Sequence, residues 1–163
     1  NFMYNLKFEF YLKIILIISL ISIISAYFIE YALGHQPCNL CLIERIPYGL
    51  TIFLITFNYF SKKNEKFIIL LLILIFLFSL VVSIYHLGIE QGFFEESGVC
   101  GLKNVDEIIS KEEILRQLQK KTVSCKDVTF KIFGISLTSF NILLSFAILV
   151  ILTKIFIHYE KNK

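Results

Sequence analysis

Four runs of the chain contain no Lys, Arg, Asp or Glu: residues 14–29, 46–61, 67–89 and 132–153. A helix needs about 20 mostly apolar residues to cross the hydrocarbon of a bilayer. The last two runs are long enough alone, and the first two suffice if the long side chains flanking them reach back to the interface. The pattern predicts four transmembrane helices over about 12–30, 42–61, 67–88 and 134–156, within one integral membrane domain covering 1–163. Two segments, 31–41 and 89–133, are then left on one side. The expected fold class is an all-α membrane protein, a four-helix bundle with one long external loop.

Smaller features punctuate this pattern. Pro37 suits a first helical position, where its missing N–H leaves nothing unsatisfied. Pro47 should kink the second helix or divide a surface segment from the spanning part. In the long loop, Ser110-Lys111-Glu112-Glu113 reads as a capping box opening a short amphipathic helix, with Ile114, Leu115 and Leu118 along one side. The last helix is expected to begin near Gly134. Its Ser136, Ser139 and Asn141 are expected to hydrogen-bond between helices, and Ser19, Ser22, Ser25 and Ala26 form a small-residue stripe suited to close helix packing. The first span lacks a small-residue cleavage site after a short apolar core, so it reads as a retained signal anchor. Asn1 in place of Met suggests a trimmed or incomplete start.

Composition agrees with the membrane reading. The chain is 56% hydrophobic, against about 45 to 50% in soluble domains. Charge then orients it, because Lys and Arg close to span ends stay on the cytoplasmic side. The two tails and the turn 61–66 carry Lys7, Lys13, Lys62, Lys63, Lys66, Lys154, Lys161 and Lys163 against Glu9, Glu65 and Glu160, while the other side is slightly negative. Both termini should therefore be cytoplasmic. The net charge of +3 is a topology signal and gives no support to nucleic-acid binding. Tyr27, Tyr31, Tyr48 and Tyr85 lie towards one interface and Tyr4, Tyr11, Tyr59 and Tyr159 towards the other, as amphipathic rings do.

Cys38, Cys41, Cys100 and Cys125 all fall on the external side, where disulfides form and persist. If 38–45 is one helix, Cys38, Cys41 and Arg45 lie within about 60° of each other on its circumference. Residues three apart on a helix are about 5 to 6 Å from each other, so the pair could open and close with little backbone movement. A thiolate at a helix start is stabilised by free N–H groups and by a nearby cation, for which Arg45 is placed beside Cys41. Two inert structural disulfides on a non-enzymatic scaffold are the plain alternative, but a bridge closing so short a loop is a poor staple. A zinc site made by the four cysteines has weak support, because the second pair is widely spaced, and no metal is expected. His86, alone at the end of an apolar helix, is more often an interface residue, although a polar group at membrane depth raises the prospect of function. Two external pairs suggest a relay of thiol–disulfide exchange that needs a terminal electron acceptor. A lipid-soluble quinone fits, with Arg45 stabilising charge that develops on it.

The four spans, Cys38-Asn39-Leu40-Cys41 with Arg45, Tyr85-His86-Leu87-Gly88, Glu90-Gln91-Gly92, Cys100, Cys125 and the stretch from Gly134 to Asn141 together resemble the DsbB family of bacterial disulfide-forming membrane proteins. The resemblance implies a multi-pass protein of the bacterial inner membrane with periplasmic cysteines. It implies electron flow from a reduced periplasmic DsbA-like thioredoxin-fold partner through Cys100 and Cys125 to Cys38 and Cys41, then to ubiquinone or menaquinone. In that scheme the partner attacks Cys100, Cys41 is the thiolate facing the quinone, Cys38 is its exchange partner, Arg45 is the quinone-side cation and His86 contributes nearby. The chain departs from many relatives in having no Trp, with Phe93 and Phe94 in its place. Vitamin K epoxide reductase relatives combine similar parts, with the two cysteine pairs in the opposite order, and form a distant alternative.

Overall fold

The computed structural model describes residues 2–60, 65–96, 98, 100, 124–126, 131, 132 and 134–161, with only the backbone for 2–7, 132 and 161. Helix α1 spans Phe2–Tyr31, the five-residue α2 Asn39–Ile43, α3 Ile46–Phe60, α4 Glu65–Glu90 and α5 Leu137–Lys161; a hairpin, β1 (Lys131–Ile132) and β2 (Ile135–Ser136), precedes α5. Four segments are long and apolar enough to cross a membrane: Phe8–Tyr31, Asn39–Phe60, Glu65–Glu90 and Leu137–Glu160. This is the four-helix membrane bundle that the apolar runs predict. The helices overrun those runs because the backbone stays helical where charged ends such as Glu65 and Glu90 leave the hydrocarbon.

The second span is broken near its start. Cys38, with extended backbone at φ −73°, caps α2, and the helix ends where the Arg45 N–H turns back to the Leu42 carbonyl at 3.2 Å. Pro47 explains the break, since its ring would collide with the carbonyl of residue 43 in a continuous helix and it has no N–H to offer. A short surface helix is thus divided from the spanning one. The last helix also starts later than expected. β1 and β2 pair in antiparallel register, Lys131 with Ser136 and Ile132 with Ile135, and the chain turns through Gly134 at φ +81°, a conformation that other residues rarely adopt. Ser136 then accepts the Ser139 N–H at 3.3 Å, so it caps α5 instead of bridging helices. The expected helix around 110–118 lies outside the described residues.

Phe8, Leu12 and Ile15 of α1, Tyr48 and Ile55 of α3, Ile69, Leu72 and Phe76 of α4, and Ile148 and Leu152 of α5 form one core. Polar groups join the helices above it. Ser79 and Ser145 meet at 3.0 Å, Asn141 Nδ2 donates to Ser83 Oγ at 2.7 Å, and the Tyr48 hydroxyl donates to Asn141 Oδ1. Lipid gives no hydrophobic drive between helices, so close packing and such bonds hold the bundle. Its outer face stays apolar, with Ile24, Phe53, Val81 and Phe146 exposed. Lys66 and Glu160 pair at one end, and the described cysteines gather at the other.

Candidate functional site

The cysteine end is built from five elements. Cys38 caps α2, and its Sγ accepts the Cys41 N–H at 3.2 Å. The two sulfurs are 2.7 Å apart and both cysteines are free. Cys38 Sγ also lies 3.6 Å from His86 Nε2, near the end of α4. The Cys38 thiol is brought down to about 5, first by the hydrogen bond from Cys41 and further by His86, against the opposing effect of burial. Cys38, and not Cys41 as the resemblance implies, is therefore the cysteine whose thiolate this geometry favours, because the Cys41 donors and His86 both converge on its sulfur.

His86 is buried and anchored on both sides. Nδ1 lies 3.1 Å from Glu44 Oε1 and 3.3 Å from Thr138 Oγ1, while Nε2 lies 3.8 Å from Glu90 Oε1. Thr138, in the first turn of α5, donates to Glu90 Oε1 at 2.5 Å. Arg45 behaves differently from the single-helix expectation. With α2 and α3 separated at Glu44 and Arg45, its guanidinium bonds Glu30 at 2.5 Å and lies over the Tyr27 ring at 5.0 Å, both on α1. The side chain beside the Cys38 sulfur is consequently the imidazole, while the guanidinium is turned to Glu30 and Tyr27.

The second pair is a disulfide, Cys100–Cys125, with Cα atoms 5.4 Å apart. It packs in one buried cluster with Cys38, Leu40 and Ile89, so the four cysteines form a single group, and Cys100 and Cys125 are each only 2% exposed. Glu96 accepts bonds from Ser124 and from the Lys126 N–H at 3.0 Å, gripping both neighbours of Cys125. Sulfurs committed to a disulfide cannot serve as zinc thiolates, which removes the four-cysteine zinc arrangement. Cys38, Cys41 and His86 do place three metal-competent atoms within 4.8 Å of one another, one donor short of a closed structural zinc site.

A cavity of about 570 Å³ opens beside the free pair, between α1 and α5. Its polar head is lined by Cys38, Cys41, Arg45, His86 and Glu90, and its flanks by Ile21, Ser22, Ser25 and Ala26 of α1 and Leu143 and Ala147 of α5. The small-residue stripe on α1 thus makes room as well as contact. Ile21 and Leu143 are also among the strongly exposed residues on the apolar exterior, so the cavity communicates sideways with the lipid-facing surface.

A family model for the disulfide bond formation protein DsbB matches residues 9–155. The chain belongs to the DsbB family. It is also 30% identical over 152 residues to an uncharacterized protein, RP370, of Rickettsia prowazekii (strain Madrid E), an alignment covering 92% of this chain and 88% of the relative. DsbB membership and the four spans make this a multi-pass membrane protein of disulfide bond formation.

The fold brings Cys38, Cys41 and His86 into contact, places the Cys100–Cys125 bridge against Cys38 and sets Arg45 on the cavity wall. Sequence reading missed Glu30, Glu44, Glu90 and Thr138. Two signals were present: Glu90 stands four residues after His86 on one helix, and Glu30 is an acid at a span end. Phe94, one of the two residues standing where the resemblance leads to a Trp, is held by local packing. Phe94 stacks on Tyr85 at 5.6 Å and lies so close to Gly88 that a Cβ there would come within 2.3 Å of its ring. Only glycine admits that approach.

Proposed function

We propose that this protein is a quinone-dependent disulfide oxidoreductase that reoxidises a periplasmic DsbA-like thioredoxin-fold protein, with its termini in the cytoplasm and its cysteines in the periplasm. The observation that carries the reading is the placement of a free cysteine pair, one sulfur of which lies against His86, at the head of a lipid-facing cavity, next to a second pair held as a disulfide. Bonding of only one pair also favours exchange over a scaffold with two structural bridges.

Ubiquinone or menaquinone fits the cavity by chemistry. The volume lies within the roughly 300 to 1,000 Å³ of small-molecule sites, its walls are mainly apolar, and its polar head offers the Arg45 guanidinium to the acceptor oxygens of a quinone ring. Cys41, Arg45 and His86 would hold the ring. A bound quinone supplies a two-electron, two-proton acceptor. The chain supplies the rest. With the Cys38–Cys41 pair oxidised to its disulfide at the expense of the acceptor, a dithiol partner attacks Cys100 to form a mixed disulfide and releases Cys125. The partner's second thiol displaces Cys100, and the two freed thiols reduce the Cys38–Cys41 disulfide by exchange, returning the free pair and the Cys100–Cys125 bond seen here. Because Cys100 is buried, it must move from its cover for the partner to reach it. Cys38 holds the thiolate, Cys41 faces the cavity, His86 takes up the Cys38 proton, and Arg45, fixed by Glu30, presents positive charge to the quinone head.

Reconstituted protein given a reduced DsbA-like partner should reduce added quinone, and a partner lacking its second active-site cysteine should be trapped as a mixed disulfide at Cys100. Quinone reduction that persists in Cys38→Ala or Cys41→Ala would refute the scheme.

A further inference from the structure

The mechanism above leaves one buried acid unused. The Glu90 side chain is only 6% exposed, and its two oxygens are treated unequally. Oε1 accepts from Thr138 at 2.5 Å and lies 3.8 Å from His86 Nε2, whereas Oε2 is buried with no partner. Leaving a carboxyl oxygen unsatisfied away from water is costly unless the site uses it. Glu90 lines the same cavity as the free cysteines, and His86 lies between it and Cys38.

We propose that Glu90 is a proton-handling residue of this site, holding at Oε2 a proton for quinone reduction and refilled from His86. The inference rests on the proposed function and extends it. When the Cys38–Cys41 bond forms, two thiols lose two electrons and two protons, and quinone reduction takes up the same number. Cys41 lines the cavity and gives its proton there. Cys38 is buried, with its Sγ 3.6 Å from His86 Nε2, so its proton is taken there and passed to the Glu90 carboxyl, the acid on that same side of the ring. Glu44, on the Nδ1 side, holds the imidazole in place, as does Thr138, which also fixes the Glu90 carboxyl through Oε1. No further oxidant or proton source is needed.

Glu90→Gln keeps an oxygen for Thr138 but cannot carry the proton. Turnover with ubiquinone-1 should fall by roughly 10²-fold, the lower range for loss of a general acid, with KM for quinone nearly unchanged. Glu90→Asp should recover part of it. Two further readouts separate proton handling from a structural role. The rate at which quinone-free Glu90→Gln protein forms a mixed disulfide with the trapping partner should match wild type. The infrared difference spectrum between the quinone and quinol states should contain a carboxyl signal in wild type that Glu90→Gln lacks. Wild-type turnover in Glu90→Gln, or an unchanged carboxyl signal, overturns the role of Glu90 alone. Failure of the wild-type protein to reduce quinone overturns the proposed function and this inference with it.

Discussion

The two cysteine pairs sit in one cluster yet have opposite surroundings. Cys100 and Cys125 are bonded and buried, and the Cys125 side is gripped by Glu96. Cys38 and Cys41 are free, on a five-residue helix, with an imidazole 3.6 Å from one sulfur and a lipid-facing cavity alongside. Nothing in the thiols themselves differs. Reactivity follows from what the fold puts next to each pair: hydrogen-bond donors and a proton acceptor at one and, among the described residues, packing and the Glu96 clasp around Cys125 at the other. The contrast fits the division of labour proposed above, in which one pair would meet a protein and the other a lipid-soluble acceptor.

The contrast is broken most strongly by removing the bonded pair. Cys100→Ser with Cys125→Ser should cut turnover with the protein partner by roughly 10³-fold or more, as loss of a nucleophile does. A small dithiol that reaches Cys38 and Cys41 directly should still drive quinone reduction, measured by loss of quinone absorbance. Equal loss with both donors would show that the pairs are not divided in this way.

The next largest effect concerns the Cys38 thiolate. A thiol brought down to about 5 is ionised above that pH and protonated below it, so thiolate absorbance of the reduced protein should disappear as pH falls through about 5. His86→Ala removes one donor to that thiolate. Since hydrogen bonds to charged groups contribute about 1.5 to 3 kcal/mol, the midpoint should rise by about one to two pH units. An unmoved midpoint would leave the Cys41 hydrogen bond as the whole cause.

Arg45→Met should weaken quinone binding by about tenfold, the loss of roughly 1.4 kcal/mol, while leaving the rate of partner exchange unchanged. Glu30→Gln should do the same to a smaller degree by freeing the guanidinium. The smallest effect is structural. Gly88→Ala forces Phe94 off Tyr85 and should lower unfolding stability by about 1 to 3 kcal/mol, read as a lower midpoint in detergent.

Much of the frame was legible in the sequence because bilayer thickness imposes a length on every apolar run. The runs around 14–29, 46–61, 67–89 and 132–153 each became a span. Local breaks were harder to read. Pro47 announced an interruption, but the strand pairing around Gly134 is too short to leave an alternating pattern. At the site, Cys38, Cys41 and His86 could be named from residue type and position, whereas their contacts could not. A helical wheel puts Arg45 with Cys41, and it fails because α2 ends before Arg45 and lets the side chain turn to Glu30. The His86–Cys38 contact joins residues 48 apart and depends on the packing of α4 against the start of the second span, which no local pattern encodes.

The most direct test is a single anaerobic turnover. Purified protein with one equivalent of bound quinone is mixed with excess reduced DsbA-like partner, and quinol and oxidised partner are counted together. The account predicts one quinol per wild-type protein, with one partner disulfide matching it and at most one more drawn from the Cys100–Cys125 bond, and no quinol in Cys41→Ala. More than one partner disulfide per protein in excess of quinol, or quinol formed by Cys41→Ala, would contradict it.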